Sequence, residues 1–147
     1  MKPPLLFVFV CILLVVFAWA LRRPSSPRVS SARTVSVGRH AFSVEVADTM
    51  ASRARGLSGH APLGENEGML FIFQGITSGP FWMKDMLFPL DLIWIRDGIV
   101  VGTTENALPM SQTGFLLYPP PMAVDAVLEV NVGTVKRLHV IRGDEVH

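Results

Sequence analysis

A lysine and two aspartates interrupt the most apolar stretch of the chain, which runs from Phe81 to Ile95 and holds two of the three tryptophans. Charged side chains are rarely buried without a partner. Lys84 and Asp91 flank the segment Leu87–Leu90, and a hairpin there would bring the two side chains together. We therefore expect either an internal Lys84–Asp91 ion pair that fixes the turn, or a cleft in which Lys84 binds an anion or transfers protons.

Arg55 is a second candidate for binding a negatively charged group. It lies at the end of a short helix that Asp48 is predicted to cap and Gly56 to end. A cation at that position is favoured by the helix dipole alone. The same side chain could instead converge with Lys84 on a carboxylate or phosphate, with Trp82 at the border of the site.

Two glutamates complete the set of candidate ligand-binding residues. Glu67 and Glu129 lie at or near the ends of predicted strands. Either could pair with the cations or could be an ordinary strand-end carboxylate, and in an enzyme the base could be Asp91, Glu67 or Glu129.

Other chemistries find little support in the sequence. The four histidines are scattered, and the spacing of His60, Glu65 and Glu67 fits no metal motif. Ser58 lies in no nucleophile motif, and there is neither a glycine-rich phosphate loop nor a dinucleotide fingerprint. Cys11 is the only cysteine, so a domain that follows it has no disulfide. We predict no metal, no cofactor and no catalytic residue that the sequence alone identifies.

The charge of the chain argues against a nucleic-acid partner. From Thr34 onward there are eight lysines and arginines against twelve aspartates and glutamates, which gives a net charge near −4. Nucleic-acid binding requires a basic surface.

The amino-terminal part predicts a membrane-directed segment followed by a spacer. Leu5 to Leu21 is uninterrupted and apolar, and it ends with Ala18-Trp19-Ala20, which fits a signal-peptidase site. Residues 1–21 are thus either a transmembrane anchor or a cleaved signal, 22–33 a Ser/Pro/Arg-rich linker, and 34–147 the domain. We expect an extracytoplasmic location, anchored on the periplasmic side of the inner membrane or secreted, although the arginines after Leu21 favour the opposite orientation.

The pattern of the domain predicts a mainly β fold of the α+β type. Alternating or continuous apolar runs indicate about eight strands, with one or two short helices. We expect a compact antiparallel sheet, either barrel-like or folded over, so that its edges are hidden. Phe81–Met86 and Leu138–Ile141 are among the predicted strands, and 106–122, with four prolines, is predicted to be a long excursion.

Several short motifs occur in the order found in one family. They are Val44-Glu45-Val46-Ala47, Arg55-Gly56-Leu57, Glu67-Gly68-Met69-Leu70-Phe71, Phe81-Trp82-Met83-Lys84, Pro89-Leu90-Asp91, Leu128-Glu129-Val130 with Gly133, and Gly143-Asp144. In these the chain resembles the DUF192 (UPF0127, COG1430-like) family of small exported or membrane-anchored proteins. The resemblance implies a compact β-rich domain outside the cytoplasm and no settled activity. Asp85 and His60 stand where asparagine and arginine are common in that family.

Three functions remain open from the sequence. The first, which we favour, is a binding module for a small anionic molecule, a glycan or a peptide around Arg55, Lys84 and Asp91. The second is a hydrolase-type enzyme that uses a carboxylate in a cleft. The third is a structural or partner-docking domain in which the charged residues only stabilise the core.

Overall fold

A computed structural model describes residues 33–147, which form eight strands and three short helices. The strands are β1 (Arg33–Val37), β2 (His40–Ala47), β3 (Glu67–Thr77), β4 (Phe81–Trp82), β5 (Leu90–Arg96), β6 (Ile99–Ala107), β7 (Leu117–Tyr118) and β8 (Val124–Asn131). The helices are α1 (Met50–Arg55), α2 (Met110–Thr113) and α3 (Thr134–Leu138). The predicted mainly β class is confirmed.

The predicted segment 1–21 and all of the predicted linker except Arg33 lie outside the described residues, and Arg33 begins β1. Within residues 33–147, none of the helices has the length and apolar character needed to cross a bilayer.

Six strands form one sheet in the order β1-β2-β3-β8-β5-β6, and β4 pairs with β7 in a separate two-stranded ribbon. Adjacent strands of the large sheet are antiparallel except β2 and β3, which are parallel. A parallel pair needs a crossover connection, and α1 with the loop after it supplies that connection. The hairpins predicted at Gly38 and at Asp97-Gly98 join β1 to β2 and β5 to β6.

The sheet is folded over, and the carboxy-terminal residues lie between its two edge strands. Ser36 of β1 exchanges two backbone hydrogen bonds with His147, of 2.9 and 3.1 Å. On the other edge, the N–H of Val100 in β6 donates to the carbonyl of Asp144 at 2.9 Å. The two edges are therefore covered by this segment, which prevents them from pairing with other chains, and the sheet does not close on itself.

Each face of the sheet has its own apolar core. One core includes Ile93 and Ile95 of β5 together with Val130 of β8, and α3 packs on it through Val135. The other includes Leu92 and Trp94 of β5, and it is covered by the residues that follow α1 and β4. The division follows from the alternation of side chains along a strand, because neighbours point to opposite faces.

Asp91 lies on the α3 face of β5 and is fully buried. Its Oδ2 accepts a hydrogen bond from the N–H of Val135 at 3.0 Å, and its Oδ1 accepts one from the N–H of Asn106 at 3.0 Å. The carboxylate thus joins β5 to the first turn of α3 and to the end of β6. The predicted Lys84–Asp91 ion pair is wrong, since it is not among the ion pairs of residues 33–147.

The hairpin that would have formed that pair is also absent from the described domain. β4 ends at Trp82 and pairs with β7, while β5 pairs with β6 and β8. The predicted strand over Phe81–Met86 is therefore too long, because Asp85 adopts a left-handed conformation with φ of 56° and turns the chain.

The predicted strand over Leu138–Ile141 is wrong. Leu138 ends α3, and His139 closes the helix in a left-handed conformation with φ of 56°. The N–H of Val140 returns to the carbonyl of Val135 at 3.0 Å, which places the apolar Val140 in the core without a strand.

Replacing Asp91 by asparagine is expected to destabilise the domain, whereas Lys84→Met is expected to leave its stability unchanged. An amide can accept from one of the two backbone N–H groups, but its NH₂ group opposes the other. The loss should be about 3 kcal/mol of unfolding free energy, because a charged hydrogen bond is lost and a buried donor is left unsatisfied.

Urea unfolding of the two variants measures this difference. Asp125→Asn is the matched control, since the Asp125 carboxylate also accepts a backbone N–H, from Asp97 at 2.8 Å, but at an exposed position. Equal losses of unfolding free energy in Lys84→Met and Asp91→Asn would support the Lys84–Asp91 ion pair. They would contradict the assignment of Asp91 to the helix terminus.

Candidate functional site

A cavity of about 250 Å³ opens between α1 and the turn that follows β4, and we call it the α1–β4 cavity. Its floor belongs to the large sheet. Its chemically distinctive lining consists of three cations, three aromatic rings and one carboxyl group, namely Arg53, Arg55, Lys84, Phe71, Phe81, Trp82 and Glu129.

Helix α1 supplies two of the cations and is fixed at both ends. Thr49, rather than the predicted Asp48, is its cap: the Thr49 hydroxyl accepts from the N–H of Ser52 at 3.0 Å, and the Ser52 hydroxyl accepts from the N–H of Thr49 at 3.0 Å. Gly56 ends the helix with φ of 49°. A Cβ at Gly56 would lie 3.2 Å from the Phe71 ring, so glycine serves both the turn and the close packing of α1 on β3.

Arg53 and Arg55 have different surroundings although both line the cavity. The guanidinium of Arg53 donates to the carbonyls of Asp48 at 2.6 Å and Ile72 at 2.9 Å, and it stacks over Phe73 with its carbon 5.6 Å from the ring centre. Arg53 therefore fastens α1 to β3. Arg55, two residues later, is exposed and has no carboxylate partner within residues 33–147.

Lys84 reaches the cavity because hydrogen bonds fix the turn that carries it. The hydroxyl of Ser58 donates to the carbonyl of Lys84 at 3.0 Å, and the N–H of Gly59 donates to the carbonyl of Asp85 at 2.9 Å. On the other side, the N–H of Met110 donates to the carbonyl of Met83 at 3.1 Å. Ser58 thus has a structural role here, and the exposed Lys84, like Arg55, makes no ion pair with the described part of the chain.

Trp82 stands at the rim and Phe81 forms part of the wall. Phe81 packs edge-on against Phe71 and Trp94, with ring centres 5.2 and 5.4 Å apart, and this anchors the β4–β7 ribbon on the sheet. Trp82 is 52% exposed and contacts Phe115, which is itself exposed, at 6.5 Å between ring centres. The 106–122 excursion therefore reaches the rim residue Trp82 through Phe115 and pairs with β4 through β7, although none of its residues lines the cavity.

Glu129 lies in the middle of the large sheet, where β8 pairs it with Met69 of β3 and Leu92 of β5. It is only 5% exposed. Its carboxyl group makes no hydrogen bond to residues 33–147. Every fully enclosed side-chain oxygen in that range has a hydrogen-bond partner, so the oxygens of Glu129 are not fully enclosed. The carboxyl oxygens therefore face the cavity.

The position of Glu129 changes its ionisation. Burial raises the pKa of Glu129 from an ordinary value near 4.5 to about 8, because a charged carboxylate is poorly solvated among apolar side chains. At neutral pH the group is mostly a neutral carboxylic acid, which both donates and accepts hydrogen bonds.

The structure brings four of the six predicted site residues together and separates two. Arg55, Trp82, Lys84 and Glu129 all line the α1–β4 cavity. Asp91 lies on the opposite face of the sheet, as described above. Glu67 is exposed at the start of β3, where its carboxylate accepts from the N–H of Gly64 at 2.8 Å outside the cavity.

Sequence reasoning did not single out Glu129 as the floor of the site, and it named Arg55 but not Arg53, which also lines the cavity. The signal for Glu129 in the sequence was its place in the apolar run Ala126–Val130, where it shares a strand face with Val127. Among residues 33–147, no three His, Cys, Asp or Glu side chains lie close enough together to hold a metal ion.

Glu129→Gln is expected to remove a pH dependence from the stability of the domain. Between about pH 4.5 and 8 the folded state holds a proton that the unfolded chain has released, so the unfolding free energy of the parent protein falls as pH rises through that window. Glutamine does not titrate. The unfolding free energy of the variant relative to that of the parent should therefore be a few kcal/mol higher at pH 8–9 than at pH 4.

Urea unfolding of both proteins from pH 4 to 9 measures the effect, with Glu105→Gln on the exposed part of β6 as the control for a lost surface charge. A constant difference between parent and Glu129→Gln across this range would contradict the raised pKa.

Two solved structures are similar to the chain over most of its length. One is a protein of unknown function from Novosphingobium aromaticivorans, which is 33% identical with a TM-score of 0.75, over 84% of this chain and 94% of that chain. The other is described as a putative transcription regulator from Sinorhizobium meliloti, and it is 35% identical with a TM-score of 0.72, over 80% of this chain and 95% of that chain. Among curated protein sequences, none matches the chain significantly.

The profile of the DUF192 family, described as uncharacterized ACR, COG1430, matches residues 32–147. This range contains every strand and helix described above, and it is the family that the sequence motifs indicated. The chain therefore belongs to the DUF192 family.

Proposed function

We propose that this chain is a binding domain of the bacterial envelope that holds a small organic anion in the α1–β4 cavity. The observation that carries the proposal is the pair Arg55 and Lys84. Both line the cavity, and neither is neutralised by a carboxylate of residues 33–147. Two such cations on fixed backbone segments favour a carboxylate or a phosphate, and a guanidinium can bind either through two parallel hydrogen bonds.

The dimensions of the cavity support a small ligand. Its volume of about 250 Å³ lies just below the ~300–1,000 Å³ of drug-sized sites. Aromatic walls beside a few polar groups are typical of sites that bind organic molecules. A longer ligand, such as a glycan or a peptide, can continue over the exposed surface of Trp82 and Phe115.

The envelope location rests on the sequence. The apolar run Leu5–Leu21 supports an anchor or a signal, and the family resemblance favours the same side of the membrane. The S. meliloti protein is described as a putative transcription regulator, which would be a different role. The net charge near −4 from Thr34 onward disfavours direct DNA contact by this domain.

Glu129 supports a second candidate, a hydrolase-type enzyme. A buried carboxyl group in a cleft with a raised pKa is a common property of catalytic acids. With a pKa of about 8, Glu129 would donate a proton at neutral pH rather than accept one, so the candidate role is general acid and not general base. Asp91 fits the third, structural hypothesis, because the backbone satisfies both of its oxygens.

Removing either free cation is expected to weaken anion binding without destabilising the fold. Isothermal titration with inorganic phosphate and with glucuronate is the measurement. Arg55→Ala and Lys84→Ala should each weaken binding about tenfold or more, since a hydrogen bond between charged groups is worth about 1.5–3 kcal/mol.

Lys136→Ala is the matched control, because Lys136 is an exposed cation on α3, across the sheet from the cavity. Equal affinities for the parent, Arg55→Ala and Lys84→Ala proteins would contradict the proposed anion site.

The envelope location is expected to show in intact cells. Protease added outside spheroplasts should cleave the domain, while a cytoplasmic marker protein stays whole. Mass spectrometry of the native protein should give an amino terminus at Met1 for an anchored form, or at Leu21 for a processed form. Protection of the domain until the membrane is lysed would place it in the cytoplasm and refute this part of the proposal.

A further inference from the structure

Glu129 is a buried polar group for which the described chain offers no partner. It is 5% exposed, it accepts and donates no hydrogen bond within residues 33–147, and it faces the α1–β4 cavity. Its carboxyl oxygens are open to the cavity, so their hydrogen-bond partner is water or a molecule bound there. A central strand is a costly position for such a group, and an anion bound by Arg55 and Lys84 does not by itself account for it.

The groups that face Glu129 define what it can meet. Helix α1 contributes Arg53 and Arg55, and the turn after β4 contributes Lys84. Strand β3 and the ribbon contribute only aromatic rings to the lining. Arg53 already donates hydrogen bonds to two backbone carbonyls. The groups left to bind a ligand are therefore the cations Arg55 and Lys84 and the carboxyl group of Glu129.

On the basis of the proposed function, we propose that Glu129 binds an uncharged oxygen of the ligand while Arg55 and Lys84 hold its acid group. The cavity would then select small hydroxy acids, sugar acids among them, over anions of the same size that carry no hydroxyl group.

The ionisation of Glu129 favours a hydroxyl over an ammonium group at this position. An ammonium group would require the charged carboxylate, and burial raises the pKa of Glu129 to about 8. The neutral carboxyl group has one O–H donor and one carbonyl acceptor. A ligand hydroxyl can accept from the first and donate to the second. An anion on Arg55 and Lys84 disfavours a second negative charge nearby, so anion binding and protonation of Glu129 support each other.

Trp82 adds a surface suited to the same class of molecule. Its half-exposed ring stands at the rim, where the apolar face of a sugar ring can pack on it. The cavity thus has a place for each part of a sugar acid, with cations for the acid group, Glu129 for a hydroxyl and Trp82 for the ring.

The test compares hydroxylated acids with unhydroxylated acids of similar size. The pairs are lactate and propionate, gluconate and hexanoate, and glucuronate and cyclohexanecarboxylate, each titrated by calorimetry at pH 7 into the full-length protein. The parent protein should bind the hydroxylated member of at least one pair about tenfold more tightly. Glu129→Met, which keeps the shape of the side chain, should abolish that preference and still bind plain anions. Glu129→Gln, which keeps a donor and an acceptor, should retain the preference.

The pH profile gives a second, independent readout. For the parent protein, the affinity for the preferred acid should be level below pH 7 and should fall about tenfold per pH unit above pH 8, because deprotonation removes the donor and adds a negative charge. Binding at pH 8 should take up protons, which calorimetry in buffers of different ionisation enthalpy detects. In Glu129→Gln both effects should vanish, so this readout stands even if Glu129→Met does not fold.

The two proposals fail in different ways. If acids bind through Arg55 and Lys84 but no hydroxylated member is preferred, or if Glu129→Met keeps the preference, the role of Glu129 is overturned and the anion site remains. The same holds if the parent and Glu129→Gln have the same profile up to pH 10. If none of the acids and no phosphate binds, or if Arg55→Ala and Lys84→Ala bind like the parent, the proposed function itself is overturned.

Discussion

The alternation of side chains along two neighbouring strands sends one buried carboxyl group to each face of the sheet. Asp91 of β5 pairs in register with Val130, and Glu129 of β8 pairs with Leu92. Adjacent positions on a strand point to opposite sides, so Asp91 and Glu129 are separated by the sheet although they lie on paired strands. The surroundings on each side then determine what each acid can do.

On the α3 face, the backbone satisfies the acid completely. The N–H groups of Val135 and Asn106 meet the two oxygens of Asp91, and a carboxylate at the start of a helix also favours the helix dipole. On the α1 face, no N–H group of residues 33–147 donates a hydrogen bond to the carboxyl group of Glu129. No hydrogen bond offsets the cost of burying a charged carboxylate there, so the pKa of Glu129 rises. The group with the raised pKa also lines an open cavity. The same kind of side chain thus stabilises the fold on one side and defines a candidate site on the other.

Much of the fold follows from local sequence signals. Alternation predicts the β1–β2 hairpin, Asp97-Gly98 predicts the β5–β6 turn, and the prolines of 106–122 predict the excursion. The same period of two is enough to place Asp91 on one face with Ile93 and Ile95, and Glu129 on one face with Val127.

Which face meets which helix depends instead on pairings between distant strands. Strand β8 lies between β3 and β5, and β4 pairs with β7 rather than with β5. The prediction that a local hairpin at Leu87–Leu90 brings Lys84 and Asp91 together is therefore wrong. Arg55, Lys84 and Trp82 come together at one cavity through Ser58 and Gly59, whose hydrogen bonds to the turn no periodicity encodes.

The two arginines of α1 differ in whether the fold itself uses their charge. Arg53 is half-buried, and two carbonyl groups and the Phe73 ring hold it, so its charge is used within the domain. Arg55 lies beyond it at the open end of the helix, where the chain offers it no carboxylate within residues 33–147. Because Arg53 and the cap at Thr49 already fix α1, Arg55 is not needed to hold the helix in place. Arg55, a cation that the fold does not require, and Glu129, an acid that no group of residues 33–147 satisfies, line the same cavity, and this supports the proposed ligand rather than a role in stability. An apolar side chain at position 129 would serve the core at lower free-energy cost.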